Sequence, residues 1–337
     1  MKKYAKFRLA AIQSAPVFFD LEASTQKACG LIQEAGKQGA TIAAFSETWL
    51  PGYPFFIWGA SEDRQLPWKA AADYLANSVE IPGPVTDRLC AAARQANIDI
   101  VIGVVERDRS TKGTVYCTLL FIAADGRILG KHRKLKPTHR ERTIWGEGDA
   151  TGLNVYDRPY GRISGLNCWE HNMVLPGYAL MAQGTQIHVA AWPGAEGKAP
   201  ATPDPMWARQ LLLSRAFASQ AAAYVILAGG LHSAEDVPPA YKQLASRYKG
   251  DSFIIDPRGE IIAGPAQGET ILIADGSEEN ILAAKSAFDI TGHYSRPDIF
   301  QLRINRQPYN RVVEMGSREH IAPEHECEKK DGNKEGE

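Results

Sequence analysis

Residues 162–171 run Arg162-Ile163-Ser164-Gly165-Leu166-Asn167-Cys168-Trp169-Glu170-His171, an apolar-polar stretch that ends in a thiol and an aromatic, polar segment. Ile163 and Leu166 suit a half-buried strand, while residues 174–182 carry helical spacing and good helix formers. Cys168 therefore falls at a strand-to-helix junction, a place that lifts a side chain to the edge of a sheet. A thiol there meets backbone N–H groups and the positive end of a helix dipole, both of which favour thiolate. Cys168 is the candidate nucleophile. From the turn alone, the competing reading of a buried cysteine acting as a small hydrophobe stays open.

Upstream, residues 7–13 alternate apolar and polar, residues 23–39 have helical spacing, and Thr41-Ile42-Ala43-Ala44-Phe45 supplies another short strand. This is a βαβ opening. Glu47 follows just past that strand, where open α/β sheets gather their sites, although by position alone it reads first as a solvated loop acid. The run Pro51-Gly52-Tyr53-Pro54-Phe55-Phe56-Ile57-Trp58-Gly59 is too rich in Pro, Gly and rings for a regular element. Contiguous apolar surface marks a pocket or an interface, so Tyr53, Phe56 and Trp58 are expected to wall a substrate pocket, with a satellite core cluster the alternative for each ring. Residues 87–95 read as a helix and 98–104 as a buried strand. Residues 115–124 turn through Asp125-Gly126 into 127–129 as a hairpin. The basic run Lys131-His132-Arg133-Lys134-Leu135-Lys136 stops at Pro137 and is offset by Glu141, Glu147 and Asp149, so a solvated loop is favoured over a nucleic-acid patch.

Downstream, residues 186–194 form a buried strand broken by Pro193, with Trp192 placed to flank the pocket and His188 read as a satisfied core histidine. A helix over 205–220, a strand over 223–228, a hairpin over 252–262, a strand over 270–274 and a helix over 278–287 follow. Residues 229–250 look like a long mobile insertion. Residues 318–337 are charged and poor in apolar side chains, the composition of a disordered tail. Pattern alone reaches the α/β class.

The 337 residues are 44% hydrophobic and 23% charged with a formal net charge of −1, an ordinary globular balance able to bury a core. Such a charge gives no bulk attraction for nucleic acid or an anionic membrane. No stretch is apolar enough to span a bilayer. Five cysteines, Cys29, Cys90, Cys117, Cys168 and Cys327, are widely spaced with no CxxC pair. Neither a disulfide framework nor structural zinc is expected, and a reducing, cytoplasmic setting suits a reactive thiol.

Three blocks carry a family resemblance. Phe45-Ser46-Glu47 with Thr48-Trp49-Leu50-Pro51-Gly52-Tyr53-Pro54 is the first. His132-Arg133-Lys134-Leu135-Lys136-Pro137-Thr138, continuing through Arg140-Glu141-Arg142 to Trp145-Gly146-Glu147-Gly148, is the second, and Leu166-Asn167-Cys168-Trp169-Glu170-His171 is the third. In order and spacing they resemble the nitrilases of the carbon-nitrogen hydrolase superfamily, from about residue 7 to 305. The resemblance implies a four-layer αββα sandwich as a single domain over residues 1–305, with 306–337 as a tail. It implies Cys168 as nucleophile and Glu47 as general base, with Lys134 and Glu141 in the same site and Trp169 beside the pocket. A small-molecule nitrile substrate, no metal or organic cofactor, and a homo-oligomer of dimers and longer spirals are implied likewise. An amidase, an N-carbamoyl hydrolase or a cyanide-hydrating relative is the nearest alternative, and a non-enzymatic adaptor a more distant one.

Overall fold

Strand β1 (Lys6–Gln13) lies inside a sheet because both of its faces are apolar. Leu9 and Ala11 point one way, Ala10 and Ile12 the other, and all four are buried. The computed structural model describes residues 3–59, 61–194, 205–233, 235–245, 248–310 and 312.

Helix α1 (Leu21–Lys37) starts where the Asp20 carboxylate accepts the Ala23 N–H and buries Ser24, Thr25, Ala28, Ile32 and Ala35 along one stripe. It returns the chain to β2 (Ile42–Ala44), which pairs parallel with β1 through Leu9 and Ile42. Helices α2 (Leu66–Ala76) and α3 (Pro84–Ala96) lead to β3 (Asp99–Arg107), parallel to β2. Strands β4 (Val115–Ile122) and β5 (Ile128–Arg133) follow as an antiparallel meander.

A second sheet begins at the β6 (Tyr156–Arg158) and β7 (Gly161–Asn167) hairpin. It continues through α4 (Val174–Ala182), β8 (Ile187–Trp192), α5 (Pro205–Ala221) and β9 (Tyr224–Gly229), with β7, β8 and β9 parallel. The short strands β10 (Leu231–His232) and β11 (Tyr248–Lys249) pair with each other, and β12 (Phe253–Ile255) and β13 (Ile261–Ala263) close that edge. Strand β14 (Thr270–Ser277) crosses back to pair antiparallel with β1 before α6 (Glu278–Ala287). The sheet orders are β14-β1-β2-β3-β4-β5 and β13-β12-β9-β8-β7-β6.

Alternation assigns every face. Leu9, Ala11, Val101, Leu119, Phe121, Ile163, Val189 and Ile226 meet between the sheets. On the far side of the first sheet, Ala10, Ile12, Ile100 and Ile102 pack on Ile32 of α1 and Leu89 of α3. On the far side of the second, Val225, Leu227 and Ile255 pack on Phe217 and Ala218 of α5. The layers are helix, sheet, sheet, helix: the αββα sandwich expected from the sequence.

Two expectations need correction. The segment 229–250 is not a loose insertion where it is described, because Val237, Tyr241 and Leu244 are buried in one cluster with Tyr53, Phe55, Phe56 and Tyr74. Its Tyr241 hydroxyl also donates to Asp73 of α2. The basic run is not a loop throughout, since Lys131, His132 and Arg133 belong to β5, where buried Glu106 accepts Arg133 Nε at 3.0 Å and pairs with Lys131. Alternation hid this strand because its charges on Lys131 and Arg133 are matched by Glu106, 25 and 27 positions away. Helix α2 was not anticipated, for only Ala70 and Tyr74 are buried on it and Trp68 stays exposed. Of the tail, Arg306 donates to Asn154 Oδ1 at 2.8 Å and the Tyr309 N–H to Asp149. The charged stretch 318–337 lies outside the described residues.

Candidate active site

Glu47, Lys134 and Cys168 each stand just beyond the carboxyl end of a strand, β2, β5 and β7 respectively, where the two sheets face each other. Glu141 lies on a short 3-10 turn (His139–Thr143) that follows β5. The Glu47 loop can cross β3 because residue 103 is glycine: a Cβ there would lie 2.2 Å from the Ser46 carbonyl oxygen and 2.4 Å from the Thr48 nitrogen. The Glu47 N–H reaches the Trp192 carbonyl at 3.4 Å, tying the first sheet's loop to the end of β8 in the second.

Lys134 is fully buried and joins the carboxylates. Its Nζ donates to Glu47 Oε1 at 2.7 Å and to Glu141 Oε2 at 2.7 Å, with the Trp145 ring 5.4 Å away. Glu141 has both oxygens engaged, because Oε1 accepts the Tyr53 hydroxyl at 2.8 Å and Oε2 also accepts the Thr138 N–H at 2.7 Å. Glu47 does not. Its Oε1 takes Lys134 and the Cys117 thiol, the latter at 3.3 Å, while among the described residues nothing hydrogen-bonds its buried Oε2. A carboxylate oxygen left bare in a dry site is costly as an anion. Burial accordingly raises the Glu47 pKa to about 7 against the pull of Lys134 and with a push from Glu141. Lys134 is held well above its usual value, the cost of burial being exceeded by Glu141 and Glu47.

Cys168 opens a 3-10 turn (Cys168–Asn172) with φ 50°, a left-handed conformation uncommon for a residue with a Cβ. Here the sequence expectation of a thiolate held by an α-helix N-terminus is corrected. Helix α4 begins six residues later, and burial, followed by the Glu47 charge, pushes the thiol well above its usual range against Lys134 and the Trp169 N–H. The resting sulfur keeps its proton. The turn is pinned by Glu170, whose fully buried carboxylate accepts the Asn167 N–H at 2.8 Å, the Leu135 N–H at 2.8 Å and His132 Nε2 at 3.0 Å. Burial raises this acid, yet His132 and the two N–H groups outweigh it and hold the carboxyl below its usual range.

A carbon-nitrogen hydrolase family profile matches residues 8–285 of this chain. The chain belongs to the carbon-nitrogen hydrolase family. A protein named nitrilase 2, from an unknown prokaryotic organism, is 51% identical over 321 residues, spanning 93% of this chain and 97% of the relative. An aliphatic nitrilase of Rhodococcus rhodochrous is 38% identical, spanning 91% of this chain and 86% of its own. Among solved structures, a carbon-nitrogen hydrolase from Helicobacter pylori G27 superposes with a TM-score of 0.71 at 17% identity, covering 88% of this chain and 97% of that one, and supports the fold.

In this carbon-nitrogen hydrolase the five expected pocket residues part company. Tyr53 joins the charged group through Glu141, and the Trp58 indole N–H donates to the Tyr53 hydroxyl at 3.2 Å while its ring is 38% exposed. Phe56 instead packs in the core against Phe19 and Tyr74. Trp192 is buried, stacked 5.2 Å from His171, with its indole N–H on Ser214. Trp169 is half-buried beneath the Arg209 guanidinium. His188 is a satisfied core histidine, as its apolar strand suggested. Sequence reasoning missed Cys117, Tyr74, Trp145 and Glu170. The Tyr74 hydroxyl is buried near Cys117, Glu47 and Glu141, and the Trp145 indole N–H approaches it without closing a hydrogen bond. Only Glu170 had a local signal, three places after Asn167 in capping-box spacing.

Proposed function

We propose that the protein is a nitrilase, converting an organic nitrile and water to the carboxylic acid and ammonia, with residues 1–305 as one catalytic domain. Its four working residues are Cys168, Glu47, Lys134 and Glu141. One observation carries the assignment of roles: of the two carboxylates that Lys134 bridges, Glu47 alone among the described residues keeps an unpartnered oxygen, and burial raises its pKa to about 7.

Because the thiol is protonated at rest, attack on the nitrile carbon is coupled to proton transfer from sulfur to Glu47 Oε2. The same oxygen passes that proton to the nitrile nitrogen, giving a thioimidate with no leaving group. Glu47, again a carboxylate, then draws a proton from water as it adds to the thioimidate carbon. Glu47 returns that proton to the nitrogen and relays the proton of the new hydroxyl after it, so that the tetrahedral species expels ammonia to leave a thioester; a second water, deprotonated by Glu47, then releases the acid, and the proton goes back to sulfur. Lys134 is a fixed ammonium facing the charge that develops, and preorganised charge in a dry site is effective. Glu141, with every oxygen engaged, holds Lys134 and does not shuttle protons.

A panel of aromatic, arylaliphatic and aliphatic nitriles with the matching amides, scored for acid, amide and ammonia, tests the reading. Nitrile consumption with stoichiometric ammonia is expected, and loss of turnover in Cys168→Ala; consumption of amides alone would assign the site to an amidase. The nitrile relatives and the family profile favour the first outcome.

The same reading includes a homo-oligomer in a reducing compartment. Val174 and Leu175 on α4, with Tyr294, Ile299 and Phe300, line an open apolar groove of about 730 Å³ that supports self-association. Cys29, Cys90, Cys117 and Cys168 are free thiols. No helix among the described residues is long and apolar enough to cross a membrane.

A further inference from the structure

The carbonyl of Cys168 is the end of a buried hydrogen-bond chain. It lies 2.7 Å from His171 Nδ1. His171 Nε2 is 3.1 Å from His188 Nε2, His188 Nδ1 is 2.8 Å from Ser164 Oγ, and Thr185 Oγ1 is 2.5 Å from that same oxygen. Elementary hydrogen-bond chemistry gives this chain one direction. A carbonyl oxygen only accepts, so the His171 proton sits on Nδ1. A neutral imidazole carries one N–H, so His171 Nε2 must accept, and His188 must donate from Nε2. His188 Nδ1 is then an acceptor, filled by the Ser164 hydroxyl, which in turn accepts from Thr185. Burial keeps both rings neutral, lowering His171 to about 4 and His188 well below its usual value. Stacking fixes the ring planes, His188 on Phe217 with centroids 3.8 Å apart and His171 on Trp192.

The consequence reaches the sulfur through one rigid unit. The Cys168 carbonyl and the Trp169 N–H share a planar trans peptide, so they point in opposite directions and turn together. That N–H belongs to the residue directly after the sulfur's own, and an N–H turned toward a thiolate favours the anion. Cys168 has a positive φ, and such a conformation persists only where its surroundings over-determine it. Glu170 holds the chain one residue before Cys168, through the Asn167 N–H. His171 holds the peptide on the carboxyl side.

We propose that His171, set in its tautomer by His188 and Ser164, is a positioning residue that aims the Trp169 N–H at the reacting sulfur. This rests on the reading of Cys168 as the nucleophile. The hydrogen-bond chain belongs to β7, β8 with Thr185 just before it, and the 3-10 turn, and no hydrogen bond joins its side chains to Glu47, Lys134 or Glu141, so it adds a second control over the thiol.

Nitrogen-15 NMR of histidine-labelled wild-type protein near neutral pH tests the geometry without any substitution. His171 should appear with the proton on Nδ1 and His188 with the proton on Nε2; the reverse pair overturns the proposal. In His171→Leu the carbonyl loses its partner, and both kcat and the rate of Cys168 alkylation should fall about tenfold or more while KM stays within about twofold. His171→Asn, whose amide N–H takes the place of Nδ1, should restore most of both. Wild-type alkylation and kcat in His171→Leu, or equal impairment in Leu and Asn variants that melt at the wild-type temperature, overturn it. A Cys168→Ala variant runs in parallel: if it turns over normally, the nucleophile reading fails, and the positioning claim falls with it.

Discussion

Glu47 and Glu141 are the same residue type on the same lysine, yet their surroundings divide them. Tyr53 and Thr138 fill the oxygens of Glu141 that Lys134 leaves, whereas Glu47 Oε2 is bare and buried. The proposed course needs Glu47 as carboxylate in the free enzyme, the form that exists above its pKa of about 7. The acidic limb of a kcat/KM profile should therefore bend near 7 and fall about tenfold per unit below it; a limb at the ordinary value of 4.5 would remove Glu47 from that role. Stability moves oppositely. Between 4.5 and about 7 the folded protein holds a proton that the unfolded chain has released, so this group's contribution is present below that window and lost as pH rises through it. Tyr53→Phe deletes one donor to a buried carboxylate. A hydrogen bond to a charged group contributes about 1.5–3 kcal/mol, so kcat/KM should drop roughly tenfold to a hundredfold, and unchanged kinetics would separate Tyr53 from the site. Residue types here were visible in the sequence; which acid kept a free oxygen was not.

Two elements carry the reacting groups, and each is fixed by contacts from the opposite sheet or from distant sequence. The Cys168–Asn172 turn hangs on Glu170, whose two oxygens accept different N–H groups, Leu135 on Oε1 and Asn167 on Oε2. A glutamine offers only one acceptor oxygen, so Glu170→Gln turns an amide N–H toward a backbone N–H and leaves a buried donor unmet. A loss of about 1–3 kcal/mol is expected, read as a lower Tm in thermal unfolding, with activity falling as the turn loosens. An unaltered Tm would mean that the turn is held elsewhere. Because the pKa of this acid lies below its usual range, its contribution is present above that range and is lost as pH falls. The limits of α4 and α6 coincide with their sequence patterns, since helical spacing and the Ser277 cap are local signals. Helix α2 and the packed part of 229–250 left no such signal, being stabilised by burying Tyr74, Val237, Tyr241 and Leu244 against one another across the chain.

Across the whole molecule, the exposed apolar side chains concentrate where α4 meets the segment after α6. Val174 is 78% exposed and Phe300 77%, and contiguous apolar surface of this kind is what an interface between copies of the chain would cover. A Val174→Glu, Phe300→Glu double variant should elute and scatter as a smaller species than the native protein, while an unchanged mass would place any assembly interface elsewhere. Alternation along the chain was enough for the α/β class and for the strand ends before Glu47 and Cys168, and three short blocks of fixed spacing carried the family and, through it, the αββα sandwich and Lys134, because these are properties of neighbouring residues. It took the folded arrangement to show that Lys134 joins acids 87 and 7 positions away, that Phe56 and Trp192 are buried, and that burial pushes the thiol up. Those outcomes depend on burial and on which groups share a dry volume, and neither is a property of any one stretch of chain.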